Sequence, residues 1–595
     1  MYSKRIAETL SGRLHAIPGQ LATVVLVLTA VGIVHAEGEK QVYRPVGAPT
    51  APKVPAQWNR YHDYSESAKL FADLAAAHPE YARLVSLGKS YGGRDMWVMT
   101  VSDFSASDDR RKPGFWIDGA IHANEIQATE VVLYTAWYLL EMRPESPQIQ
   151  QLLRERVFYL MPMMSPDSRD AHFYEANSTN SPRTGQRPVD DDQDGRVDED
   201  GPDDINGDGH ISTMRVKDPH GRWKSHPDFP NLMVPVKEGE KGQYSLLGAE
   251  GIDNDGDGQV NEDGDGSYDP NRDWGWMWQP EYVQRGAYRY PFSILENRLV
   301  ADFIVDHPNI VGAQSYHNSG GMILRGPGSK EDAFDAADLR VYDAIGKRGE
   351  QLLPGYRYIN IANDLYEVWG GEVDWLHQAR GVFTFTNELF TPFNYFRSTG
   401  HEGFFGSNEV QHAFDRYLLL GDGSIPWREF DHPTFGKIEI GGFKKNWVRQ
   451  PPAFLLEEEC HRNMAFTLYH ADELPLVKVT SARAIMLAGD LREITAIIEN
   501  PKITPTHSVA DVRGKITPPD LVTVSGAELQ VLSGMSSNEA FFQQPSETKR
   551  NPHQIKLDSI PGHGLIYVRW LVRGAGPYRI TVETVKGGQH ELTVE

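Results

Sequence analysis

Residues 114–142 open with Gly114-Phe115-Trp116-Ile117-Asp118-Gly119-Ala120-Ile121-His122-Ala123-Asn124-Glu125 and continue as an apolar run from Ile126 to Met142. The first part has the texture of a buried strand and the run after Glu125 that of a buried helix. His122 and Glu125 therefore stand at a strand-to-helix junction, the end of a sheet at which open α/β folds place their sites. An imidazole and a carboxylate at this spacing are two of the three protein ligands of a hydrolytic zinc site, whose fourth position is left to water. His-x-x-Glu alone is weak evidence. Among 21 histidines about one such match arises by chance. His470-Ala471-Asp472-Glu473 is read as that accident, a structural histidine closing a helix before a Pro-containing linker.

Outward from this junction the pattern alternates. Helices are expected at 65–78, 126–142, 293–306 and 332–353, and strands at 81–87, 96–101, 115–121, 157–164 and 310–316, with Gly92-Gly93 as a hairpin turn. Strands interleaved with helices predict an α/β fold, a mixed and largely parallel sheet sandwiched by helices. After Pro475 the texture changes to short β-branched runs, such as Glu493 to Ile498 and Leu565 to Trp570, separated by Gly, Pro and Asn. That pattern predicts a small β-sandwich over 476–595.

The ends and the charge bound the setting. Residues 1–36 have a basic start (Lys4, Arg5, Arg13), an apolar run from Leu21 to Val34 and small residues before Glu37. They read as an export signal, which predicts a periplasmic or secreted protein without a transmembrane segment once the signal is removed. Residues 37–56, Pro- and Ala-rich from Gly38 on, read as an extended lead-in. The single cysteine, Cys460, excludes an intramolecular disulfide, so core size, metals or both must stabilise the fold, and at this length core size is sufficient. The net charge of −23 is mostly local: residues 190–208 and 253–265 together carry −15. Such stretches repel polyphosphate and argue against nucleic acid as a partner.

Four further stretches complete the reading of His122 and Glu125. These are Asn271-Arg272-Asp273-Trp274, Gln314-Ser315-Tyr316-His317-Asn318-Ser319, Tyr366-Glu367-Val368-Trp369-Gly370-Gly371-Glu372-Val373-Asp374-Trp375, and Gly381 to Leu389 with Glu388 near its end. In this order they resemble the zinc carboxypeptidases of the carboxypeptidase A type, over roughly Gln57 to Tyr469 within a catalytic domain of 57–470. The resemblance implies one catalytic zinc on His122, Glu125 and His317, with Glu388 as general base. It implies Asn271 and Arg272 as the grip on the substrate's terminal carboxylate, Tyr366 as a mobile cap and Val373 at the base of the pocket for the terminal side chain. Val there points to a weak preference for apolar C-terminal residues, with the adjacent Glu372 as the competing determinant. The family also requires an arginine for the oxyanion. Arg183, Arg187, Arg215 and Arg222 are the candidates, with Arg215 preferred.

Chemistry agrees with these roles. Zinc polarises a carbonyl and acidifies water, a partly enclosed Glu388 moves a proton, and a guanidinium fork suits a carboxylate. Trp274, Trp276 and Trp278 read as core or cleft wall rather than a carbohydrate platform. An insertion over about 177–269 contains Asp190-x-Asp192-x-Asp194-Gly195, Asp204-x-Asn206-x-Asp208-Gly209 and Asp253-x-Asp255-x-Asp257-Gly258. Oxygen ligands at alternate positions followed by Gly suit structural calcium. The twelfth positions are Gly201, Arg215 and Gly264, so these are not complete EF-hand loops. The expected function is a metallocarboxypeptidase acting on the C-terminus of a peptide or protein. A zinc amidase or peptidase acting on cell-wall peptides is the alternative, and an inert binding or adhesion module on the same fold is the rival from another class.

Overall fold

The computed structural model describes residues 46–190, 195–263, 268–391, 393–396 and 408–595. The expected export signal, 1–36, and Asp192 and Asp194 of the first acidic loop lie outside the described residues.

An eight-stranded mixed sheet forms the first architecture. Its strands are β1 (Ala82–Lys89), β2 (Asp95–Val101), β3 (Gly114–Gly119), β4 (Val157–Met161), β5 (Ile310–Asn318), β6 (Met322–Arg325), β7 (Arg357–Asn360) and β8 (Phe383–Leu389), in the order β1-β2-β4-β3-β5-β8-β6-β7. The centre, β4-β3-β5-β8, is parallel, and β1, β2 and β6 bring the antiparallel pairings. Strands buried on both faces need no polar alternation, and every residue of β3, β4 and β5 is buried. Helix Gln127–Met142 packs tightly on this centre. A Cβ on Gly119 would stand 2.9 Å from the Ala128 carbonyl, so glycine permits the approach that sets the junction before the helix. His470, the structural histidine of the sequence reading, sits fully buried in helix Ala453–Asp472 between the Phe115 and Phe385 rings, 4.8 and 5.2 Å away.

A second sheet was not legible from the acidic loops. Strands Thr213–Lys217, Trp223–Ser225, Met233–Pro235 and Tyr244–Ala249 of the insertion pair with a hairpin from much later in the chain, Ser424–His432 and Gly436–Phe443, as six strands. Between this sheet and the segment 178–180 lies a cavity of about 500 Å³ walled in part by Trp223, Trp427 and Asn180.

From Lys478 the chain is almost all β, as two antiparallel sheets of five and four strands over a core that includes Trp570, Tyr578, Ile494 and Val568. This β-sandwich is bonded to the catalytic part. Lys586, 1% exposed, donates to the carbonyls of Arg380 (2.9 Å) and Gly381 (3.1 Å) and pairs with Asp511 at 2.7 Å. Gly381 has φ +66°, and a Cβ there would meet Asp511 at 2.6 Å. The contact falls two residues before β8. Among the described residues no helix is long and apolar enough to cross a membrane.

Candidate active site

At the carboxyl ends of β3 and β5 the chain gathers His122, Glu125 and His317, all buried. The Nδ1 atoms of the two histidines lie 3.2 Å apart; His122 Nδ1 is 3.1 Å from Glu125 Oε1 and His317 Nδ1 is 3.0 Å from Oε2. Three donor side chains so close could hold a cation at their centre. The second side of the His122 ring fixes its tautomer: Nε2 lies 2.8 Å from Asp269 Oδ1, the outer carboxylate that holds metal-binding imidazoles in orientation. Zinc, with its preference for N and O donors and an open fourth position, fits this set. Despite burial, the histidines hold the Glu125 carboxyl well below its ordinary range; His122, Arg272 and Arg183 do the same for Asp269.

Glu388 enters from the neighbouring strand. It is in register with His317 across the parallel β8–β5 pair, so both side chains leave the same face about 4.8 Å apart. Burial, and then the Glu125 charge, push its carboxyl up to about 7.

The sequence-predicted substrate residues converge from elsewhere. Asp269 accepts from the Asn271 amide (2.7 Å) and starts a short turn, Pro270–Arg272. Asn271 Nδ2 lies 3.5 Å from His317 Nε2, and its Oδ1 accepts from the Glu372 amide at 2.9 Å. Arg272 Nη1 donates to the Asn271 carbonyl and lies 3.8 Å from Asp269. Tyr366 is 51% exposed and within electrostatic reach of Arg272, Glu388 and Arg183, at the mouth of the site. Trp274 is fully buried against Trp375 and Phe292, a core residue and no platform.

Two expectations change. Arg215, the preferred oxyanion arginine, is held on the second sheet by Glu439 at 2.6 Å, with its guanidinium over the Tyr244 and Trp427 rings. Arg187 lies over the Tyr91 and Tyr288 rings. Of the expected arginines, Arg183 reaches the cluster, its Nη1 donating to Glu125 Oε1 at 2.9 Å. Against the cost of burial, Asp269, Glu125 and Glu388 raise its pKa. Val373, expected at the pocket base, packs instead into an apolar cluster with Met322, Leu324, Ile361 and Val368, while Glu372 turns toward Ser315 beneath His317, 3.3 Å away.

Arg449 was missed by the sequence reading. Its Nη1 donates to the Asn318 carbonyl (3.0 Å) and lies 3.8 Å from Glu125, while its Nε donates to Asn180 (3.1 Å). It lies far along the chain from every motif, and only its position before Gln450-Pro451-Pro452 marks a fixed turn.

The acidic loops share one geometry. Gly195, Gly209 and Gly258 all have positive φ, and each donates its amide to the first Asp of its loop, Asp190, Asp204 and Asp253. Asn206 and Asp208 accept within the second loop, and Asp255 and Asp257 within the third. Oxygens of Asp200, Asp253 and Asp255 come within 4.8 Å of one another, as do those of Asp255, Asp257 and Glu262.

A sheet-end cluster of two histidines and a glutamate, with a carboxylate on the adjacent strand, has the donor set that a zinc centre of the peptidase class would use. Comparison with known proteins agrees. The family model for zinc carboxypeptidase matches residues 68–195 and 253–405, and a domain of unknown function matches 476–595. Carboxypeptidase B of Astacus astacus is 26% identical over 360 residues, 58% of this chain and 89% of that protein. Mouse carboxypeptidase Z is 30% identical over 128 residues, 21% of this chain and only 20% of that protein. The crystal structure of carboxypeptidase A from Helicoverpa armigera overlays with a TM-score of 0.40 at 19% identity, covering 62% of this chain and 75% of that one. Over residues 68–195 and 253–405 the chain matches the zinc carboxypeptidase family.

Proposed function

We propose that the chain is an exported zinc metallocarboxypeptidase that removes residues from the C-terminus of peptides or proteins. The observation that carries this reading is the meeting of His122, Glu125 and His317 with Glu388 in register beside them. Zinc, when bound, supplies a Lewis acid that polarises the scissile carbonyl and lowers the pKa of water.

The chain's own residues do the rest. Glu388 takes the proton from the attacking water and returns it to the leaving nitrogen, acting as base and then acid. A carboxyl raised toward neutrality is suited to both halves of that transfer. Arg183, charged and held at Glu125, donates to the oxygen on which negative charge develops. Asn271 and Arg272 grip the terminal carboxylate, and Tyr366, half-exposed, closes over the bound peptide.

An inert binding module on this fold requires a broken ligand set or a missing base, and both are intact. Cell-wall peptides as substrate would leave the same residues in the same roles. Metal analysis tests the reading: one zinc per native chain is expected, and its loss in a His122→Ala, His317→Ala double variant. Stoichiometric zinc persisting in that variant would count against it.

The acidic insertion is read as a structural calcium site shared among its loops. The support is one hydrogen-bonding geometry used three times, together with the crowding of acids there. Burial, with Asp200 and Asp257 nearby, pushes Glu262 up to about 7. Removing calcium with zinc left in place should lower the melting temperature; an unchanged melting curve with no calcium on analysis would end this reading.

A further inference from the structure

The cavity at the second sheet begins beside the metal cluster. Asn180, one of its walls, accepts at its carbonyl from the Asn124 side chain (2.8 Å) and at Oδ1 from Arg449 Nε (3.1 Å). Arg449 Nη1 in turn lies 3.8 Å from Glu125, and its neighbour Val448 is a further wall. A second cavity of about 690 Å³ shares Asn231 and His412 with the first and continues past Phe229, Pro230 and Leu420. Two adjoining compartments therefore follow one another outward from the neighbours of Glu125.

Most of the first cavity's wall lies outside the ranges that match the zinc carboxypeptidase family. Trp223, Asn231 and Met233 come from the gap between 195 and 253, and Gln411, Trp427 and Phe443 from beyond 405. The cavity is thus this chain's own addition to the shared catalytic part.

Its chemistry is neutral. None of the described residues lining the first cavity is Asp, Glu, Lys or Arg, and burial holds His412 down to about 4, so that it too is uncharged near pH 7. Trp223, Trp427, Met233 and Phe443 offer apolar surface, while Asn180, Asn231 and Gln411 offer amides that both donate and accept. Gln411 is only 9% exposed, and its Nε2 has no hydrogen-bond partner. A buried donor of this kind calls for an acceptor. An extended peptide brings what these groups lack, backbone carbonyls and amides for the side-chain amides and side chains for the apolar walls. A charged side chain would lose its water there without gaining a counter-ion, which is costly.

We propose that the two cavities form a groove, built by the insertion and the late hairpin, for the part of the substrate upstream of the scissile bond, and that the first cavity selects apolar or aromatic residues over charged ones. This rests on the carboxypeptidase reading above. With the terminal carboxylate at Asn271 and Arg272, the rest of the peptide crosses the metal cluster and leaves past Asn180. Long peptides are then the preferred substrates, and dipeptides, which never enter the groove, are poor ones.

The test is kcat/KM of the zinc-loaded full chain for N-acetylated peptides that share their last two residues and grow upstream from dipeptide to hexapeptide. The value should rise at least about tenfold along the series, mainly through KM. A second set of hexapeptides carries Leu, Phe, Lys or Asp at the third or the fourth position from the C-terminus. Leu and Phe should exceed Lys and Asp at least about tenfold at one of these positions. Trp223→Ala should bring the hexapeptide at least about tenfold down toward the dipeptide. Rates independent of length, or Lys and Asp accepted as well as Leu and Phe at both positions, would overturn the proposal and leave the carboxypeptidase reading standing. If no peptide is cleaved, that reading fails and calorimetry on the same chain decides: a Leu-containing hexapeptide binding no tighter than its dipeptide overturns the groove. Binding of N,N′-diacetylchitobiose that Trp223→Ala abolishes, with no length dependence among the peptides, would assign the cavity to a neutral sugar and overturn the proposal as well. The measurements on the native chain need no variant, so misfolding of Trp223→Ala leaves the proposal decidable.

Discussion

Glu388 and His317 occupy matched positions on adjacent parallel strands, so the proposed general base and a proposed metal ligand are placed by the same backbone hydrogen-bond ladder. Neither depends on a loop for its position. A site built this way tolerates exchange of the side chain without displacement of the backbone.

Glu388→Gln should therefore retain zinc and substrate binding while kcat falls at least about a hundredfold, the usual worth of general acid–base catalysis. Near-normal turnover in that variant would remove Glu388 from the mechanism.

The two arginines should separate cleanly. Arg183→Ala should lower kcat by about 10²–10³ with zinc retained, as for the loss of one oxyanion donor. Arg215→Ala should cost stability, through the lost Glu439 pair and ring contacts, with kcat nearly unchanged. Melting curves and steady-state kinetics on both variants decide this, and the reverse pattern would restore Arg215.

The contact between the β-sandwich and the catalytic part should give stability a defined pH dependence. Burial opposes a charged His507, but hydrogen bonds to Asp511 (3.3 Å) and Asp520 (3.0 Å) outweigh it and raise the imidazole to about 9. A raised folded pKa gives stability that is complete below the unfolded value, about 6.5, and lost as pH rises through about 9. The contribution is on the order of 1–3 kcal/mol. Asp511, held far below the carboxylate range chiefly by His507 and Lys586 despite burial, acts oppositely: its stabilisation is present above the ordinary aspartate range and lost on acidification. The melting-temperature gap between the native protein and His507→Gln should be widest near pH 6 and narrow toward pH 9.5. A gap constant across that range would contradict this assignment.

Much of the architecture was legible because local pattern and global role coincide. Residues 114–142 are a strand and a helix in isolation and in the fold, and His122, Glu125 and Glu388 lie at the ends of such elements. Where a side chain's partner is distant in sequence, pattern says nothing. Arg215 and Arg183 read alike until Glu439, from the late hairpin, is seen to hold one and Glu125 the other. The same hairpin is why the second sheet was not foreseen, since its strands lie on both sides of β8 in the chain. Val373 and Glu372 differ by one position, and only the packing shows which of the two faces the core and which faces Ser315. Arg449 carries no local signal of its place beside Glu125.

The most direct test of the account is mass spectrometry of products from the zinc-loaded native protein acting on one peptide prepared both as the free acid and as the C-terminal amide. The account predicts stepwise loss of single residues from the free C-terminus and little or no reaction of the amide. Equal cleavage of both forms, or internal fragments in place of terminal residues, would contradict it.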